Sequence, residues 1–189
     1  MRAPGGVVML AMVATYKLGE SMADAMFKPF LVDHGFTAAQ IGLWSGTWGM
    51  GASLLGSLAG GLLATRLPIV GALAITGALR AVPLVAEWWL TLGQPLAEQV
   101  VAITLAEHFF GGALTTAMFA FMMSRVDPRI GATHFTALAA LEVLGKAPAG
   151  IASGWVAVRW GYPAVFAAAV TLSAVWLLFF PVLRRSLRR

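Results

Sequence analysis

The sequence predicts an all-α membrane protein of six transmembrane helices. Three observations predict it. The 189 residues are 59% hydrophobic with a mean hydropathy of +0.82. Charged residues make up only 11%, far below the roughly 25% of a soluble domain. The apolar residues fall in long unbroken runs, not in the alternating pattern of a membrane barrel, and in lipid only a helix or a closed barrel satisfies its own backbone.

A spanning helix needs about 20 residues, and breaks at Gly, Pro and charge clusters divide the chain into six such pieces. The first predicted span covers about residues 7–32, running past Lys17 as one long helix and ending in the polar turn Asp33, His34, Gly35. Because the apolar pattern continues beyond Thr15, this start reads as a span and not as a signal peptide. Thr37 is a suitable N-cap for the second span, about 38–64, which stops at Thr65, Arg66, Leu67 and Pro68. The third covers about 69–92, the fourth 96–124, the fifth 132–158 and the sixth 163–183, with a basic tail at 184–189. Short links predict that consecutive helices are antiparallel neighbours.

Basic residues in short loops mark the cytoplasmic side. Arg2, Arg66, Arg125, Arg129, Arg184, Arg185, Arg188 and Arg189 fall on one face against Arg159 on the other, so both termini are expected in the cytoplasm of an inner-membrane protein. Trp44, Trp88, Trp89 and Trp160 collect at the opposite interface as an aromatic belt. The net charge of +5 and pI near 10.5 follow from this topology and do not point to nucleic acid. With no cysteine, disulfides, zinc–thiolate sites and a cysteine nucleophile are excluded, and no cofactor or metal site is read from the chain.

Small residues at four-residue spacing occur at Gly42 and Gly46, Gly56 and Gly60, and Gly150 and Gly154, a pattern for close helix contact. The segments Gly61 to Arg66 and Gly154 to Arg159 carry Gly and Arg at the same offsets, at the ends of the second and fifth spans and on opposite membrane faces. Three helices repeated with inverted topology, a 3+3 arrangement, would produce that match.

Eight charges lie well inside the spans: Lys17, Lys28, Arg80 and Lys146 against Glu20, Asp24, Glu107 and Glu142. An isolated charge at the bilayer centre costs roughly 2.5 to 3.5 kcal/mol even on insertion scales, so these must face each other, water or a solute. Lys17, Glu20, Asp24 and Lys28 are spaced by three, four and four, which puts all four on one helix face over roughly 16 Å. Glu20 and Asp24, one turn apart, cannot both ionise cheaply, an arrangement suited to taking up a proton; two static pairs, Lys17 with Glu20 and Asp24 with Lys28, are the alternative. Glu107 and His108 are a second candidate proton-coupling pair, with a simple bundle histidine as the plainer reading. Lys17, Lys28 and Lys146 are candidate contacts to anionic groups of a solute. Glu142 and Lys146, at i and i+4, line a pathway or brace their helix. Arg80 reads as a packing counter-ion. Pro148, beside Gly145 and Gly150, predicts a kink.

Several short motifs resemble a known family. Tyr16-Lys17-Leu18-Gly19-Glu20 resembles the Tyr-Lys-Leu-Gly-Asp element that opens the second half of AmpG-like permeases. Ala132-Thr133-His134-Phe135, then Ala137-Leu138, Gly145-Lys146 and Ala152-Ser153-Gly154-Trp155, resemble that family's eleventh helix, and Gly161, Tyr162 and Phe166 the entry to its twelfth. The resemblance implies half of a major facilitator fold and proton-coupled symport of a small-molecule solute. Anhydromuropeptides are the substrate class of the best-known bacterial members, and acyl-coenzyme A occurs among relatives. Thr65 stands where the family's loop signature has Asp, so a gating role there does not carry over. The chain begins at what corresponds to the seventh helix, which implies a missing N-terminal half or a second copy as partner, alongside membrane lipid. The alternatives are a non-transporting fragment or membrane scaffold. An intramembrane enzyme is the remaining class, and the sequence lacks rhomboid-like Gly-x-Ser-Gly, aspartyl-protease Gly-x-Gly-Asp and clustered histidines.

Overall fold

The computed structural model describes residues 6–187, all helix and connecting turns with no strand among them. Arg2, Arg188 and Arg189, counted above for topology and for the basic tail, lie outside the described residues. Three helical stretches, Ile69–Leu90, Ala97–Met123 and Pro128–Leu183, are long and apolar enough to cross a membrane.

The first predicted span is not one helix. It divides into α1 (Gly6–Thr15) and α2 (Leu18–Asp33) at a turn where Lys17 has φ −100° and ψ 5°. No Gly or Pro causes this break. It falls between two backbone-to-backbone approaches to a later helix, Ala14 against Gly145 and Gly19 against Ala169, where a Cβ on either glycine would strike the facing carbonyl oxygen. α2 ends at Gly35, whose φ of 87° lets the Phe36 N–H donate back to the Leu31 carbonyl.

Thr37 caps α3 (Ala38–Ile41) in a reciprocal box with Gln40. A π-helical segment, Gly42–Trp48, follows and runs into α4 (Gly49–Arg66). Next come α5 (Ile69–Leu90) and α6 (Ala97–Met123). A 3₁₀ turn, Pro128–Ile130, whose first N–H is held by the Asp127 carboxylate, leads into α7 (Gly131–Leu177) and then α8 (Phe179–Leu187). Gly161, at φ 79°, divides α7 into arms 131–160 and 162–177, so the link between the fifth and sixth predicted spans shrinks to one left-handed residue. Beside it the Tyr162 hydroxyl donates to Asp33, tying this corner to the end of α2.

The short-link expectation holds for α5 and α6, which pack closely on each other, but the two most extensive interfaces join helices that are not consecutive. α2 packs chiefly on α7, and α4 on α6. Gly56 and Gly60 make the second contact possible: a Cβ at either would collide with the backbone of Phe109 or Ala113. Gly42, Gly46, Gly150 and Gly154 face nothing within 4 Å, so of the three spaced glycine pairs one is a helix interface. Trp44 also departs from the belt reading: it is buried against Phe36, whereas Trp89 and Trp160 are exposed.

The apolar core forms two clusters. One contains Phe27, Phe30, Leu84, Val100 and Phe166, the other Met12, Leu73, Met118, Phe121 and Trp176. α5 and α6 run through both clusters with Arg80 and Glu107 between them, and the charges of α2 alternate with its residues in the first cluster. That layer is the site.

Candidate functional site

α2 delivers Lys17, Glu20, Asp24 and Lys28 from one face, as their spacing requires, and all four line a cavity of about 550 Å³. Glu107 and His108 of α6 and Glu87 of α5 line it as well, and Ser53 and Ser57 of α4 with Ser45 of the π segment add neutral polar groups. A π turn widens the helix and re-aims side chains, which suits a segment lining a cavity.

Arg80 organises the layer. It is 2% exposed, its Nη2 lies 2.5 Å from Glu107 Oε1, and its Nε lies 3.4 Å from Glu20 Oε2. One guanidinium thereby joins α2, α5 and α6, a geometry its planar fork of donors permits. The other oxygen of Glu107 is taken by His108, whose Nδ1 is 2.6 Å away and also 2.9 Å from the Thr104 carbonyl. Gly111 leaves the centre open: a Cβ there would sit 3.5 Å from Arg80 Nε and 3.7 Å from Glu107 Oε1.

Lys17 does not pair with Glu20. Its Nζ is 3.4 Å from Glu142 Oε1 on α7, an oxygen that Lys146 also approaches at 3.2 Å. Two cations thus share one buried carboxylate at the helix break. Glu142 and Lys146 stand behind the cavity wall and touch it through Lys17, which lines it. Nor do Asp24 and Lys28 pair: neither makes a salt bridge among the described residues, and both are exposed toward the cavity. The static arrangement of two ion pairs along α2 is therefore replaced by pairing between helices. Carboxylate oxygens of Glu20, Asp24 and Glu107 come within 4.8 Å of one another, a spacing a cation could use, but Arg80 and His108 already occupy both oxygens of Glu107.

Sequence reasoning gave Arg80 a packing role and passed over Glu87. The available signal was that Arg80 and Glu87 lie seven apart in the third span, on the same helix face, with Leu84 between them.

No family model matches the chain. The anhydromuropeptide permease of Escherichia coli is 29% identical over 181 residues, covering 95% of this chain and 37% of the permease. The chain is similar to a permease. A Rickettsia felis protein named as a transporter, AmpG 4, is 25% identical over 92% of the chain and 42% of its own length. An uncharacterised Haemophilus influenzae protein is 30% identical over 78% of the chain and 36% of its own length. The chain therefore spans about two fifths of the length of these relatives. Permease-like sequence and apolar helices together mark a membrane protein whose relatives are named for transport and not for catalysis.

Proposed function

We propose that the chain is a six-helix, 3+3 half of a major facilitator type of secondary transporter, importing a bulky polar or anionic solute of the muropeptide class together with protons. The observation that carries this reading is the Arg80 network opening on the cavity: three helices hold their charges against each other and toward one shared space. A scaffold has no need of such a space. Similarity to the anhydromuropeptide permease supplies the solute class.

The first stretch, residues 6–33, approaches both arms of α7, with Ala14 against Gly145 and Gly19 against Ala169, while α4 packs on α6. What supports the repeat is the matching Gly and Arg offset of 61–66 and 154–159. The cavity, with Asp24 and Lys28 exposed, is half of a pathway that an N-terminal half or a second copy completes within the lipid bilayer.

In this reading Lys17 and Lys28 meet the anionic groups of the solute, and Glu142 with Lys146 sets the reach of Lys17. Glu20, Asp24, Glu107 and His108 are the proton-coupling groups. Protonating Glu20 or Glu107 removes a counter-charge from Arg80, and the freed guanidinium alters the field that the solute meets, so proton and solute binding become linked. Glu20→Gln and Asp24→Asn in the reconstituted transporter are expected to reduce proton-driven accumulation of an anhydromuropeptide by about tenfold or more, with counterflow exchange retained. Undiminished accumulation in both variants and in the double variant would refute the assignment.

The distribution of Arg supports a topology with both termini in the cytoplasm of the inner membrane. The chain has no cysteine, so single substitutions can be labelled cleanly in intact cells with an impermeant thiol reagent. Gln94→Cys, in the exposed link after α5, is expected to label, and Thr65→Cys, at the exposed end of α4, only after permeabilisation. The reverse pattern would invert the topology.

A further inference from the structure

Glu87 is an acid of the cavity that the coupling scheme above does not use. It lies seven residues after Arg80 on the buried face of α5 and lines the cavity together with Glu20, Asp24 and Glu107. It is 1% exposed, and its Oε2 has no hydrogen-bond partner.

The charged groups around it come from three helices: Arg80 on its own, Glu20 and Asp24 on α2, and Glu107 with His108 on α6. The arm 162–177, packed on the other side of α5, brings no titratable residue except Tyr162, whose hydroxyl donates to Asp33. Arg66 of α4 and Arg185 of α8 belong to the opposite end of α5, where α8 packs near Leu73. Arg80 is already divided between Glu20 and Glu107, and Lys17 is turned to Glu142. Four ionised acids would thus face one guanidinium and, at most, one imidazolium, with Lys28 at the far end of the stripe. An ionised Glu87 would be a buried charge beside three like charges with no counter-ion of its own, which is costlier than retaining a proton.

Resting on the transport reading, we propose that Glu87 is a further proton-carrying residue of the cavity, a carboxylic acid in this state that passes its proton to the Glu20–Asp24–Glu107 cluster. The O–H bond at Glu87 breaks as one forms on the accepting carboxylate. When the acceptor is Glu20 or Glu107, its protonation releases its hold on Arg80, and the guanidinium becomes the counter-ion of the new Glu87 carboxylate. Charge is conserved within the layer, so the proton moves without leaving a buried ion unpaired.

Infrared difference spectroscopy on the purified full chain in lipid, in H₂O and D₂O at neutral pH, reads the proton directly. The expected result is a carboxylic acid C=O band that Glu87→Gln removes and Glu87→Asp shifts. In proteoliposomes under an imposed pH gradient, Glu87→Gln is expected to lower anhydromuropeptide accumulation by about tenfold while counterflow changes by less than about twofold. A band unchanged in both variants, or accumulation unchanged in Glu87→Gln, overturns the proposal. Should Glu87→Gln fail to fold, the band shift in Glu87→Asp decides, and its absence counts against the assignment. If the unaltered chain accumulates no solute, the transport reading is what fails, and the band still tests the proton on Glu87.

Discussion

Replacing Arg80 with Met is expected to destabilise the bundle by about 3 to 5 kcal/mol, the range for removing one partner of a buried ion network. Met keeps most of the stem's packing, so the loss isolates the guanidinium. Arg80 is 2% exposed, and the side chains of its partners Glu20 and Glu107 are 13% and 10% exposed, so water cannot replace it well. Thermal unfolding of purified protein in detergent is the measurement. Arg80→Met combined with Glu107→Gln should recover part of the loss, because the second change removes one of the two stranded carboxylates. Arg80→Lys should fall between, since an ammonium cannot reproduce the fork that spans both acids. An unfolding temperature unchanged by Arg80→Met would show that the network holds nothing together.

The second large effect is steric. Gly56→Ala places a methyl group against the backbone of Phe109, where neither helix can yield by rotating a side chain, so α4 and α6 must separate. Overpacking of this kind costs about 1 to 3 kcal/mol, and Gly56→Leu should exceed it. Gly150→Ala is the matched control: it belongs to an identical four-residue spacing, lies in a helix and has nothing within 4 Å. There the expected change is neutral or a gain of up to about 1 kcal/mol from helix propensity. Equal losses at both positions would mean that spacing, not contact, sets the cost.

These two sites show what the sequence reveals and what it withholds. The charged face of α2 is legible because helix periodicity alone brings Lys17, Glu20, Asp24 and Lys28 into line. Their partners are not legible, because pairing across helices depends on which rods pack. Lys17 meets Glu142, 125 positions away, and Glu20 meets Arg80. The glycine pairs fail for the same reason: three share a spacing, and tertiary contact selects one. Glu87 was hidden by its place, three residues before the end of α5 and beside Trp88 and Trp89, where a sequence reading assigns it to the interface. The turn at Tyr16 and Lys17 has no breaker residue to announce it. It exists because α1 and α2 must each press against a different part of α7.

The crossed pairing of the helices also fixes an order of assembly. α2 rests on α7, and α4 rests on α6, so each early helix waits for a partner made later. A ribosome will have delivered Arg80 well before Glu107, and Lys17 long before Glu142. In the interval the nascent helices carry buried-type charges and exposed glycine backbone with no protein surface to cover them. The ion pairs and close helix contacts of the layer can therefore be completed only once α7 has been synthesised.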